Sequence, residues 1–224
     1  MTPKLTIQEF QLLRDLIEKQ SGILLADEKA YLVENRLATL LATLSCRSFG
    51  ELYFRAAGEG VHGRIRAAII EAITTKETSW FRGEKVFQVL RDRILAGYWR
   101  EMGQGHRSGV DVWSAASSTG QEPYSIAMTA LDLHQTLGGE RSCRERIHIL
   151  ATDISQASIE AAQAGRYEAA AVRRGVPEDF LERYFAQKDD HWLVKREVRQ
   201  LVTFRRVNLR EPFPTLGPFD VIFL

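Results

Sequence analysis

Residues 110–128 read VDVWSAASSTGQEPYSIAM, and this stretch decides the fold. VDVWSA (110–115) is a short β-rich apolar run, the turn that follows is built from small residues, and Tyr124, Met128 and Leu131 then return at helical spacing. Pro123 suits the first turn of that helix, where a missing N–H costs nothing. A second run, HILATD (148–153), comes after the helix. Strand, helix and strand at this spacing predict a parallel α/β sheet.

Downstream, LVTFRRV (201–207) and FDVIFL (219–224) read as two further strands, the second introduced by a loop holding Pro212, Pro214 and Pro218. Between the second and third strands, 166–200 places Tyr167, Phe180, Tyr184, Phe185 and Trp192 among many charges, the pattern of a small inserted subdomain. An apolar strand running up to Leu224 is typical of a strand buried inside a parallel sheet, so the natural protein is expected to continue past it.

Upstream the periodicity is helical. Thr6 and Glu9 have capping-box spacing, Ile7, Phe10, Leu13 and Ile17 follow as a stripe, and Ser21-Gly22 supplies a stop. A second stripe, Val33, Leu37, Leu40, Leu41 and Leu44, has Asp27 upstream as its expected cap. Ser48 and Glu51 repeat the capping-box spacing, and Ile65, Ile69 and Ile73 recur every four residues. The reading is an all-helical domain at 1–73, a linker at 74–84, and an α/β domain at 85–224 with 166–200 inserted in it.

Thirty basic against 29 acidic residues leave a formal net charge of +1, so the broad positive field of a nucleic-acid-binding protein is missing. Two isolated cysteines, Cys46 and Cys143, form neither a zinc-ligand pattern nor a disulfide framework, which fits a reducing cytoplasm. No run approaches the roughly 18–20 apolar residues that span a bilayer, and MTPKLTIQEF lacks the apolar core of a signal peptide. His62, His106, His134, His148 and His191 stand in no nucleophile–base spacing, and no serine occupies a nucleophile elbow. Hydrolysis and metal chemistry therefore recede.

The turn after the first strand can take a ligand. Its small side chains let a ligand reach the backbone, and the N–H groups opening the next helix favour a negative group such as a carboxylate. Glu122 and Asp153, one acid near each strand end, are acceptors for an amino group or ribose hydroxyls. An ordinary strand-to-helix turn remains an equal alternative, since neither GxGxxG nor a phosphate-loop Gly-Lys-Ser/Thr is present. Asp153 has a second reading as the cap of the helix that follows, a role competing for the same oxygens. The linker TTKETSWFRGEKVF (74–87) gathers Lys76, Thr78, Trp80, Phe81 and Arg82 at a domain junction; it is either a ligand cleft or a helix start with a buried aromatic pair.

TTKETSWFR, WSAASSTGQEPYSIAM, ATDIS, VNL and FDVIF resemble, in that order, the signatures of the chemotaxis receptor methyltransferases, the CheR family. The resemblance spans nearly the whole chain and implies a class I, Rossmann-like S-adenosylmethionine-dependent methyltransferase domain carrying a small β-subdomain, preceded by a helical domain. By motif position it implies cofactor contacts at Lys76, Thr78, Arg82, Ala116, Glu122, Asp153, Asn208 and Leu209, with Arg82 also the catalytic arginine and no metal. Lys76 stands where the family commonly has asparagine, and Gln121 where it often has a second glutamate. The implied activity is methyl transfer from S-adenosylmethionine to glutamate side chains of methyl-accepting chemoreceptors, leaving S-adenosylhomocysteine. The implied partner is the receptors' cytoplasmic helical domain, met by a cytoplasmic monomer whose Arg36, Arg47, Arg55, Arg64 and Arg66 are available to acidic surfaces. The short, glycine-free AQKDDHW (186–192) argues against tethering of a receptor peptide. The family usually places an Arg-Asn pair and a tyrosine just past the position of Leu224. The alternative is therefore a module that holds cofactor or receptor without turnover, and a methyltransferase for small molecules or nucleic acid is a further rival.

Overall fold

The computed structural model describes residues 3–138, 143–212 and 216–224. Pro214, part of the expected proline loop, lies outside them. The chain divides into two compact units, one holding residues up to Thr75 with a short stretch from Asn208, the other holding Lys76–Val207 and the residues through Leu224.

In the first unit, α1 (Ile7–Ser21) opens with a complete capping box between Thr6 and Glu9 and closes on Gly22, whose φ of 75° is the left-handed conformation that glycine adopts without strain. Asp27 does not cap the second helix. It begins a 3₁₀ turn, Asp27–Lys29, and its carboxylate pairs with Arg14 at 2.8 Å; α2 (Ala30–Thr43) starts after the turn with no side-chain cap. The nearby guanidinium draws the carboxylate away from the helix end. α3 (Phe49–Gly58) is capped by Ser48, whose Oγ accepts from Glu51 N, but the Glu51 carboxylate accepts from Arg47 N rather than from Ser48, so only half the box closes. α4 (Arg64–Ile73) buries Ile69 and Ile73 and leaves Ile65 half-buried. Phe10, Leu13, Ile17, Val33, Leu37, Leu41, Phe49, Leu52 and Ile69 form the dry centre of the unit.

The second unit begins with α5 (Glu84–Val89), a π-helical turn (Leu90–Leu95) and α6 (Ala96–Gly103). It continues through β1 (Val110–Ala115), α7 (Gln121–Thr136), β2 (Ile147–Asp153) and α8 (Gln156–Ala164). Next come β3 (Arg166–Glu168), α9 (Ala169–Arg173), α10 (Glu178–Tyr184), β4 (Phe185–Lys188) and β5 (His191–Val194). α11 (Arg196–Arg199), β6 (Val202–Arg206) and β7 (Val221–Phe223) complete it.

The main sheet has the order β6-β2-β1-β7 with every pairing parallel. β1 and β2 bury one face, where Val110, Val112, Ile147, Ile149 and Ala151 lie in register, while Asp111 and His148 on the other face are exposed. β3, β5 and β4 form a separate antiparallel sheet, with Tyr167 opposite Trp192 and Phe185 opposite Val194. β7 is shorter than the expected FDVIFL strand. Among the described residues it pairs with β1 alone, and Ile222 is 56% exposed. Among the described residues no helix is long and apolar enough to cross a membrane.

Order within the main sheet reverses at β1: the chain moves outward to β2 and β6 on one side and returns to β7 on the other. In open α/β sheets the crevice for a ligand opens at the carboxyl ends of the strands flanking such a reversal. Ala115 ends β1 and Phe223 ends β7, the strands flanking the reversal, and Asp153 ends β2 next to β1.

Candidate active site

The turn between β1 and α7 alternates its backbone hand. Ala116 (φ 54°), Ser118 (φ 49°) and Gly120 (φ 93°) all have positive φ, two of them without being glycine. Non-glycine residues pay for that conformation, so the surroundings must hold them there. Asp153 does so: buried at 6% exposure, its Oδ2 accepts from Ser118 N at 2.7 Å and its Oδ1 from Ser155 N at 2.8 Å. The helix-cap reading of Asp153 is thereby corrected, because Ser155 Oγ caps α8 by accepting from Ser158 N at 2.9 Å. A carboxylate has about four lone-pair directions, and two backbone donors leave room for two more.

Other elements converge on the same turn. Ser117 N donates to Thr152 O at 2.8 Å, joining the turn to β2, and Ser118 Oγ donates to the Lys76 carbonyl at 3.2 Å, joining it to the linker. Tyr167 Oη donates to Thr119 O at 2.7 Å from the antiparallel sheet. Gly120 leaves α7 without a side-chain cap, so first-turn N–H groups face outward as the positive end of the helix dipole. Ala116 is exposed, and the Ser117 hydroxyl is buried with no partner among the described residues.

Glu122 stands in that first turn, half-buried, and accepts from Ser114 Oγ at 2.7 Å. Burial pushes its carboxyl pKa up, opposed in part by the Ser114 hydrogen bond and the positive field of Arg82. Arg82 itself is exposed on a linker pinned at its neighbours. Trp80 is 3% exposed and meets Tyr167 and Phe185 edge-on at 4.8 and 5.2 Å, while Phe81 N donates to Ser125 Oγ of α7 at 3.1 Å. Gly175 must be glycine for Trp80 to sit there, since a Cβ would lie 2.9 Å from the Trp80 carbonyl oxygen. The aromatic pair is thus an anchor, and the linker is no helix: α5 starts only at Glu84.

Lys76, Ala116, Glu122 and Asp153 are therefore drawn together around one turn, with exposed Arg82 near enough for its positive charge to act on Glu122 and half-buried Thr78 between Lys76 and Arg82 on the linker. Asn208 and Leu209 belong to the other compact unit, where Asn208 Nδ2 donates to Gln20 O at 2.8 Å and to Glu211 Oε1 at 3.0 Å. Gln121, buried, accepts from Thr119 Oγ1 at 2.8 Å. Ser114, Ser125 and Tyr167 escaped the sequence reading. The first two lie inside the quoted block, but nothing local to Tyr167 signals its bond to a turn far upstream.

This donor set matches an amino-acid-bearing nucleoside. A backbone that a ligand can approach, a carboxylate with spare acceptor capacity and a half-buried second carboxylate are suited to ribose hydroxyls and an amino group, and the uncapped helix end to a carboxylate. The family model described as CheR methyltransferase, SAM binding domain, matches residues 76–224, and the CheR methyltransferase all-alpha domain matches residues 8–74. Chemotaxis protein methyltransferase 1 of Pseudomonas aeruginosa is 39% identical over 216 residues, covering 96% of this chain and 76% of that protein. Chemotaxis protein methyltransferase 1 of Vibrio cholerae is 39% identical over 217 residues, with coverage of 96% and 76%. The Escherichia coli chemotaxis protein methyltransferase is 34% identical over 232 residues, with coverage of 100% and 74%. Two family models covering nearly the whole length, and relatives above 30% identity along it, show that the chain belongs to the CheR methyltransferase family.

Proposed function

We propose that this protein methylates glutamate side chains of methyl-accepting chemoreceptors, with S-adenosylmethionine as donor and S-adenosylhomocysteine as product. The observation that supports the reading is a cofactor-type turn held by Asp153 and flanked by Glu122, with exposed Arg82 on the adjoining linker, its positive charge partly offsetting the burial-driven rise of the Glu122 pKa. S-adenosylmethionine supplies a methyl group on a positively charged sulfur, already activated for transfer.

The chain's own residues then need only bind and orient. A glutamate carboxylate, with a reference pKa of about 4.3, is ionised at neutral pH and needs no general base. In this reading Asp153 fixes the ribose, Glu122 the amino group, and Lys76, Thr78 and Ala116 line the approach. Arg82 holds the substrate carboxylate in line with the methyl, so that positioning supplies most of the rate. Neutral overall charge favours a protein substrate over nucleic acid. The reading puts the protein in the cytoplasm, acting on the receptors' helical domain.

Arg82→Ala is expected to lower receptor methylation by about a hundredfold to a thousandfold, with S-adenosylhomocysteine affinity changed only slightly. Turnover equal to the parent protein would remove Arg82 from the mechanism. Absence of methylation by wild-type protein that binds the product normally would leave a binding module instead.

Glu122 gives a pH signature. The amino group of S-adenosylhomocysteine binds the ionised carboxylate, so affinity should fall as pH drops through the Glu122 pKa, beginning at a higher pH than for an ordinary glutamate because that pKa is raised. The ligand-free protein has the opposite sign: the folded state holds the proton more tightly, so Glu122's contribution to stability falls as pH rises from the unfolded to the folded pKa. Glu122→Gln should flatten the affinity profile measured by calorimetry. An unchanged profile would place the amino group elsewhere.

A further inference from the structure

Away from the turn, the second unit holds a groove of about 660 Å³ lined by Tyr124, Gln163, Arg196, Arg199, Gln200, Val202, Thr203 and Phe204. No acidic residue lines it. Arg196 and Arg199 stand three residues apart on α11, so their side chains share one helix face. Gln163 and Gln200 add amides, Thr203 a hydroxyl, and Tyr124 with Phe204, edge-on at 5.5 Å, an aromatic wall.

Positive charge is concentrated in the segment that supplies this groove's two arginines, Arg196 and Arg199. Between Lys195 and Arg206 five cations, Lys195, Arg196, Arg199, Arg205 and Arg206, accompany one acid, Glu197, in a protein whose net charge is only +1. Arg14, Arg55, Arg91, Arg107 and Arg183 all find carboxylates. Among the described residues none of the five cations here forms an ion pair. Arg199 is instead held by donating Nη2 to Gln163 O at 2.7 Å, its Cδ lying 3.3 Å from where a Cβ on Gly165 would stand. A guanidinium fixed through a carbonyl keeps its full charge and its remaining donors for an incoming anion.

We propose that this groove is a second ligand site, distinct from the turn, that takes a small phosphate-bearing molecule. Two guanidiniums supply charge-assisted hydrogen bonds to phosphoryl oxygens, Thr203 and the glutamines extend the polar contacts, and the volume admits a ligand up to nucleotide size. Tyr124 forms part of its wall and lies on α7, the helix whose first turn carries Glu122. The assignment stands independently of the methylated substrate.

The test is calorimetric titration of the whole chain at about 0.15 M salt with inorganic phosphate, sodium pyrophosphate and adenosine monophosphate, each with S-adenosylhomocysteine present in saturating amount. Saturable binding of pyrophosphate is expected, weakened at least about tenfold by Arg196→Gln and by Arg199→Gln separately. Lys85→Gln and Arg93→Gln, each removing one positive charge elsewhere, should separately leave it unchanged. Adenosine monophosphate binding tighter than phosphate would assign a nucleotide; equal binding would assign the phosphoryl group alone. The proposal is overturned if none of the three probes binds saturably, if both arginine variants bind like the parent, if either control variant weakens binding equally, or if S-adenosylhomocysteine competes. Arg196→Gln leaves the Arg199–Gln163 bond intact, so a misfolded Arg199 variant would not blur the outcome.

Discussion

Asp153→Ala is expected to abolish measurable S-adenosylhomocysteine binding and to destabilise the second unit at the same time. The carboxylate accepts from two backbone N–H groups at a site 6% exposed, and alanine would leave Ser118 N and Ser155 N without it. Each buried donor left unsatisfied costs about 1–3 kcal/mol, so a loss of about 2–6 kcal/mol is expected in denaturant unfolding. Ser118 would then lose the bond that holds it at positive φ, and ribose contacts would disappear with it; affinity should fall at least about a hundredfold. Asp153→Asn discriminates the parts. Its amide oxygen can still accept one N–H while its NH₂ opposes the other, so it should recover part of the stability and little of the affinity. Product binding by Asp153→Ala within a few-fold of the parent would show that the pocket lies elsewhere.

Gly120→Ala should be nearly as damaging without touching any charge. A φ of 93° disfavours alanine, and its Cβ would lie 2.8 Å from Ala162 Cβ and 3.1 Å from Tyr167 Oη. The left-handed backbone costs about 1–2 kcal/mol and the overpacking about 1–3 kcal/mol, a combined fall in Tm of roughly 5–20 °C. The two costs separate in a double-mutant cycle. Ala162→Gly removes the opposing Cβ, so Gly120→Ala should cost less in that background while the conformational part persists. Strictly additive effects would mean that Ala162 and position 120 do not meet as described.

How much of this was legible beforehand depends on whether the determining contacts are local. Helices α1 to α4 and strands β1 and β2 could be read because their periodicity and caps are written within a few residues of one another: Thr6 with Glu9, Val110 with Val112. Asp27 was misread for the same reason in reverse, its partner Arg14 lying on a different helix. FDVIFL could be read as a strand, but the partner that sets its paired length, β1, lies more than a hundred residues earlier. At the site, residue types and motif order pointed to the turn, Glu122 and Asp153. They did not disclose that both Asp153 oxygens are engaged by backbone or that Ser114 orients Glu122, because those facts depend on how strand ends register across the sheet.

The anchoring of Trp80 bears on the order in which the molecule is made. Its ring rests on Tyr167 and Phe185, and Tyr167 lies on β3, which pairs with β5. During synthesis the N-terminal part emerges first and begins to fold by itself, but the linker carrying Arg82, though it can already meet Ser118 and Ser125, lacks the aromatic bed of Trp80 until the ribosome has released the chain through Val194. Contacts between residues so far apart are slow to close. The linker is thus translated early and its Trp80 anchor seated late, once the antiparallel sheet is in place.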